Sequence, residues 1–206
     1  MPRRPNRRVR PVPPSALTPV GPPGRQSVRR PSAIVPCEWR HQTEVPDAVP
    51  AIVSAYAIDR DQLLLAKVRH NRLLDLALGM VSYSLGSVRQ ALVPRTAPVD
   101  VDELYVGLRD FDPPCIVPVM IQRSDDPINA PRLGQVESFC RHLYPSLTPR
   151  FMAVQFVPDE DHEAVVLFDL IRRGNEVKLQ DEKQYRLVPA DQITRDDPRR
   201  MAQSSV

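Results

Sequence analysis

The chain has 206 residues, 42% of them hydrophobic, and a formal net charge of +3. That is enough apolar material for a buried core, while no apolar run approaches the roughly 20 residues of a bilayer-spanning helix, so no membrane partner is expected. Three scattered cysteines, Cys37, Cys115 and Cys140, form no CxxC pair, which points away from a disulfide framework or zinc knuckle and toward a reducing cytoplasm.

The modest net charge hides a division. Residues 1–35 hold eight arginines, nine prolines and no acidic residue, whereas residues 36–206 hold 20 basic against 25 acidic ones. Proline removes backbone donors and like charges repel, so residues 1–33 are expected to form a disordered basic arm with no secretory apolar segment. Its arginines, Arg3, Arg4, Arg7, Arg8 and Arg10 among them, suit contacts to DNA or RNA phosphates; a solvated tail is the plainer alternative. A single domain is expected over 34–193, followed by a polar tail over 194–206.

Within the domain, AIDRDQLLLAKVRHNRLLDLALGM (57–80) reads as a helix. Asp59 is its N-cap, Gln62 falls three residues later, and Leu64, Leu65, Val68, Leu73, Leu76 and Ala77 keep helical spacing. The cluster Lys67, Arg69, His70, Asn71 and Arg72 reads as a solvated face, with phosphate contact by Arg69 and Arg72 as the functional alternative. A second, shorter helix is expected over 81–92. From Val99 the period shortens to two. VDVDELYVGL (99–108) and CIVPVMIQ (115–122) read as strands joined by a turn at RDFDPP. APRLGQVESFCRHLY (130–144) is a helix with Leu133, Val136, Cys140 and Leu143 on one face. RFMAVQFV (150–157) and EAVVLFDLI (163–171) are apolar strands, RRGN is a turn, and EVKLQDEKQYRLV (176–188) is a last extended segment. Glu176, Val177 and Lys178 read as exposed strand. The expected class is α/β or α+β, a mixed central sheet flanked by helices.

Six of these segments, LAKVRHNRLLDLALG, YSLGSVR, DELYVGL, PRFMAVQF, LFDL and EKQYRLVP, resemble in the same order a family of prokaryotic proteins. Its members read like IRYNRLID, YSLQ, DELYVG, CRPIAAQF, LFEF and EKHYRLV, with PVQAK on the strand after DELYVG. The likeness runs from about Gln62 to Val188. That family in turn resembles the PD-(D/E)XK restriction-endonuclease-like superfamily: an aspartate-bearing strand, a turn, a strand ending in a residue triplet that closes on lysine, and a helix carrying a glutamine. The resemblance implies a restriction-endonuclease-like fold and a Mg²⁺ site in which acids hold the ion and the lysine helps activate water.

Carried over residue by residue, Asp102 matches the metal-binding aspartate, with Glu103 as a second candidate on the opposite strand face, and Gln135 matches the helical glutamine. The decisive strand departs: PVQAK is PVMIQ here. Met120 offers a soft thioether where Mg²⁺ wants oxygen, and Gln122 carries no charge. Arg123, one position on, is expected on the opposite face. An active site would need relocated acids, Glu137 on the helix or Asp125 and Asp126 in the loop. Three functions are therefore compatible with the chain: a catalytically degenerate, nucleic-acid-associated protein of nuclease-like fold, a protein-interaction module that kept the fold, or a Mg²⁺-dependent DNA endonuclease with moved acids.

Deleting residues 1–33 is expected to weaken binding to duplex DNA. It should also flatten the salt dependence by about 0.9 log units per log unit of salt for each phosphate that the arm neutralises. Equal affinities and slopes for the full and shortened chains would remove the arm from the interface.

Overall fold

A computed structural model describes residues 34–37, 42–57, 59–91, 98–123, 127–158 and 163–189. The expected arm and tail lie outside them. The described strands are β1 (Gln42–Pro46), β2 (Val81–Ala91), β3 (Val99–Leu108), β4 (Cys115–Ile121), β5 (Thr148–Pro149), β6 (Phe151–Pro158), β7 (Glu163–Arg173) and β8 (Glu176–Val188). They form one mixed eight-stranded sheet in the order β1-β8-β7-β6-β4-β3-β2, with the short β5 against β4. β1 runs parallel to β8, and β4 parallel to β6. The pairs β2–β3, β3–β4, β6–β7 and β7–β8 are antiparallel. The helices are α1 (Ala51–Tyr56), α2 (Arg60–His70), α3 (Leu73–Leu78) and α4 (Ala130–Leu143).

Strand alternation divides the core into two layers. On one face, Leu64, Leu65 and Val68 of α2 and Leu73, Leu74 and Leu78 of α3 pack on Val119, Val154 and Leu167. On the other, Leu133, Val136, Phe139 and Cys140 of α4 pack on Leu104, Met120, Ala153 and Phe168. Continuous apolar runs in β4, β6 and β7 follow from this, because a central strand covered on both faces has no solvated side. Val154, Leu167 and Phe168 are fully buried, as the sequence led one to expect. Burial pushes the Cys140 thiol up to about 12, so it serves as an apolar core residue.

Three expectations change. Residues 81–91 are strand β2 rather than a helix, held by antiparallel pairing with β3. The helix expected over 57–80 is two helices. Asp59 does cap the first, accepting a hydrogen bond from the Asp61 amide at 2.9 Å. Arg72 then adopts a left-handed conformation (φ 55°, ψ 33°), after which α3 restarts. Arg109, reaching across from the end of β3, donates to the carbonyls of Leu78 and Gly79 and closes the C-terminus of α3.

The third change concerns the basic cluster at the end of α2, which is a solvated face only at Arg69, His70 and Arg72. Lys67 and Asn71 are buried. Lys67 donates to Asp47 Oδ2 at 2.9 Å, and Asn71 donates to Asp47 Oδ1 at 3.1 Å while accepting from the Ala48 amide at 2.6 Å. These bonds tie the loop after β1 to the end of α2. Burial raises the Asp47 pKa, but the hydrogen bonds from Lys67, the Val49 amide and Asn71 outweigh it, and the carboxyl sits below its ordinary value.

A lowered folded pKa means stability present above the unfolded value and lost as pH falls through the folded one. Asp47→Asn is therefore expected to cost roughly 1–3 kcal/mol at pH 7. The gap to the parent, followed by denaturant titration, should narrow only below the ordinary value of 3.8. A gap independent of pH would show that the Asp47 charge contributes nothing.

Candidate functional site: an arginine-lined cleft around Asp102

The site begins with an irregularity in β3. Gly86 pairs with Leu104 and Val88 with Val101, two steps along β2 against three along β3. The additional residue falls at Asp102–Glu103 and forms a bulge, which re-aims side chains locally. Val101 and Leu104 thereby both reach the α4 layer, and the two acids between them part company.

Asp102 is 5% exposed and Glu103 is 1% exposed. The β3–β4 ladder ends at the pair Glu103–Val119. Beyond it, the Gln122 amide turns to Val154 O on β6 at 2.8 Å, so the preceding Ile121 amide points back toward β3. Asp102 Oδ2 accepts that amide at 2.8 Å. The carboxylate thus supplies a rung that the backbone no longer provides.

Around Asp102 stand three guanidinium groups. Arg89 of β2 and Arg123 after β4 each approach Oδ1 at 3.8 Å, and Arg132 of α4 approaches Oδ2 at 3.8 Å. They line a cleft of about 320 Å³ together with Asp100, Asp102 and Gln135. Asn129 caps α4 by accepting the Arg132 amide at 2.9 Å, which places Arg132 in the first turn of the helix, beside its electropositive end. Arg123 departs from the expected face because β4 stops at Ile121, so strand alternation no longer governs it. It binds Asp61 of α2 at 2.5 Å and still reaches the cleft.

The remaining candidates lie elsewhere. Glu103 faces the α2 layer, accepting from Arg69 Nε at 2.7 Å and Ser84 Oγ at 2.5 Å. Arg72 pairs with Asp75. Gln122 is buried, with Oε1 facing the Ile128 amide at 3.4 Å. Met120 is fully enclosed in the layer under α4. Glu137 is held by Arg141 at 2.9 Å and by Arg172 of β7 at 2.7 Å. Burial raises its pKa, the two arginines outweigh that, and the carboxyl lies below its ordinary range. Asp125, Asp126 and the arginines of residues 1–33 lie outside the described residues. Asp102, Gln135 and Arg123 are brought together; Glu103, Gln122, Glu137, Arg69 and Arg72 are not. Arg89 and Arg132 are the members that sequence reasoning missed.

The donor set fits Mg²⁺ poorly. Among the described residues, no three His, Cys, Asp or Glu side chains converge as a metal site requires. One Asp102 oxygen already accepts a backbone amide, and cations occupy its surroundings. Guanidiniums in this arrangement suit an anion, since their planar forks match phosphate geometry. Comparison with known proteins returns no match: no family model, no curated protein and no solved structure.

Proposed function

We propose that the chain binds the phosphate backbone of nucleic acid through the cleft around Asp102, as a nuclease-like protein without metal-dependent cleavage. The observation that carries this reading is the ring of Arg89, Arg123 and Arg132 about one buried carboxylate. The order of elements supports the nuclease-like part. An aspartate-bearing strand pairs antiparallel with the strand that follows a turn, and the next helix brings Gln135 to the same cleft.

The division of labour follows from charge. The arginines supply donors and positive potential to a phosphodiester, and Gln135 adds a neutral polar group. Asp102 and Asp61 hold the guanidiniums in place and, with Asp100 in the lining, limit how strongly an anion is drawn. Cleavage would need oxygen ligands for the ion and a positive group to help form hydroxide. Met120 turned into the core and the neutral Gln122 supply neither. A protein partner is the second reading, favoured by edge strand β2, whose Val81, Tyr83 and Leu85 are 44%, 55% and 53% exposed.

Asp102→Asn separates these readings. It keeps an oxygen for the Ile121 amide and removes the charge facing the arginines. Affinity for labelled duplex DNA or single-stranded RNA is expected to rise several fold, up to roughly tenfold for a 1.4 kcal/mol gain. Arg132→Ala should weaken binding and lower the salt slope by about 0.9 for each phosphate that the arginine neutralises. Loss of binding in Asp102→Asn would contradict the proposal. So would Mg²⁺-dependent cleavage by the parent that Asp102→Asn abolishes, which would instead indicate relocated acids in an active endonuclease.

A further inference from the structure

Arg123 stands just beyond the end of β4, between Asp61 of α2 and Asp102 in the cleft. Its Nε and Nη2 both donate to Oδ2 of Asp61, at 2.9 and 2.5 Å. The same Nη2 lies 3.8 Å from Asp102 Oδ1, beyond hydrogen-bond length. One guanidinium is therefore shared unequally. It is bonded to α2 and only faces the cleft. The edge made by Nε and one Nη is a fork that can give a phosphate two parallel hydrogen bonds, and Asp61 occupies that edge.

The bond to Asp61 is one that can be exchanged. Asp59, not Asp61, caps α2, so the helix begins without the Asp61 carboxylate. The Arg123 and Asp61 side chains are 33% and 35% exposed, and ion pairs open to water are screened and hold weakly. A phosphodiester in the cleft would offer Nη2 a second anion, one that Arg89 and Arg132 hold at the same time. Arg123 can then turn from one partner to the other by rotation of its side chain, with its backbone in place.

We infer that Asp61 is a competing anion that holds Arg123 in reserve, and that a phosphate entering the cleft draws Arg123 off α2. The inference rests on the phosphate-binding reading of the cleft and adds Asp61 as a residue that sets its affinity. It also ties the N-terminus of α2 to the occupancy of the cleft. By reciprocity, a cation that engages Asp61 in the place of Arg123 strengthens phosphate binding.

The test follows binding of a short labelled duplex DNA to the full chain, by affinity at several salt concentrations and by backbone amide resonances. Saturating DNA should shift the amides of Asp61 and Gln62 together with that of Ile121. Arg123→Ala should weaken binding and lower the salt slope by about 0.9, as for one phosphate contact. Asp61→Asn should tighten binding roughly one and a half to fivefold, the worth of an exposed ion pair. Its salt slope should match the parent's, because Arg123 reaches the phosphate in both. Shifts at Ile121 without any at Asp61 and Gln62, or an unchanged slope in Arg123→Ala, would show that Arg123 stays on α2. Either result would overturn the inference and leave phosphate binding intact, as would an Asp61→Asn variant that binds no more tightly than the parent. A parent that binds no DNA, or whose affinity Arg132→Ala leaves unchanged, would remove the phosphate reading and this inference with it.

Discussion

The hydrogen bond from the Ile121 amide to Asp102 is the contact on which the arrangement of the site depends. It forms where the β3–β4 ladder has already ended at Glu103–Val119, beside the bulge in β3 at Asp102–Glu103. A buried amide without a partner would be costly, and the nearest acceptor is the side chain that the bulge has turned toward it. Once fixed there, the carboxylate is a buried charge that needs compensation. Arg89, Arg123 and Arg132 supply it from three separate segments, β2, the loop after β4, and α4. Strand alternation leaves Glu103 on the other face, where Arg69 and Ser84 receive it.

The charges at both sites are matched. At Asp102, three guanidiniums stand near three carboxylates, Asp102, Asp100 and the Asp61 that pairs with Arg123, so the cleft is rich in directed donors without a surplus of positive charge. At Glu103, two arginines meet two carboxylates, and no net attraction for charge remains. Neither resembles a centre for Mg²⁺, whose oxygen ligands would have to displace guanidiniums already in contact with Asp102.

Legibility in the sequence follows the strength of the local signal. Strands β6 and β7 are apolar throughout and could be read directly, as could α4, whose Leu133, Val136 and Cys140 keep helical spacing behind an Asn129 cap. Strand β2 could not be read, because its exposed Val81, Tyr83 and Leu85 give no apolar face to count; its register comes from β3, a non-local partner. The break at Arg72 was equally hidden, since arginine carries no preference for the left-handed region that would announce it. At the site, Asp102 and Gln135 were legible through motif order. Arg89 and Arg132 were not, because nothing local distinguishes them in a chain with many arginines, and only the packing of β2 and α4 brings them to Asp102. The cluster at 67–72 misled for a related reason. A run of polar residues on a helix usually faces water, but here Asp47, supplied by a loop distant in sequence, turns Lys67 and Asn71 inward.

The central claim is that Asp102 anchors an anion cleft rather than a metal. Titration of the full chain with Mn²⁺, read by paramagnetic broadening of backbone amide resonances, tests it most directly. No saturable broadening is expected at Asp102 and Ile121, whereas a short phosphodiester oligonucleotide added instead should shift those resonances selectively. Saturable Mn²⁺ broadening at those two residues, abolished by Asp102→Asn, would contradict it.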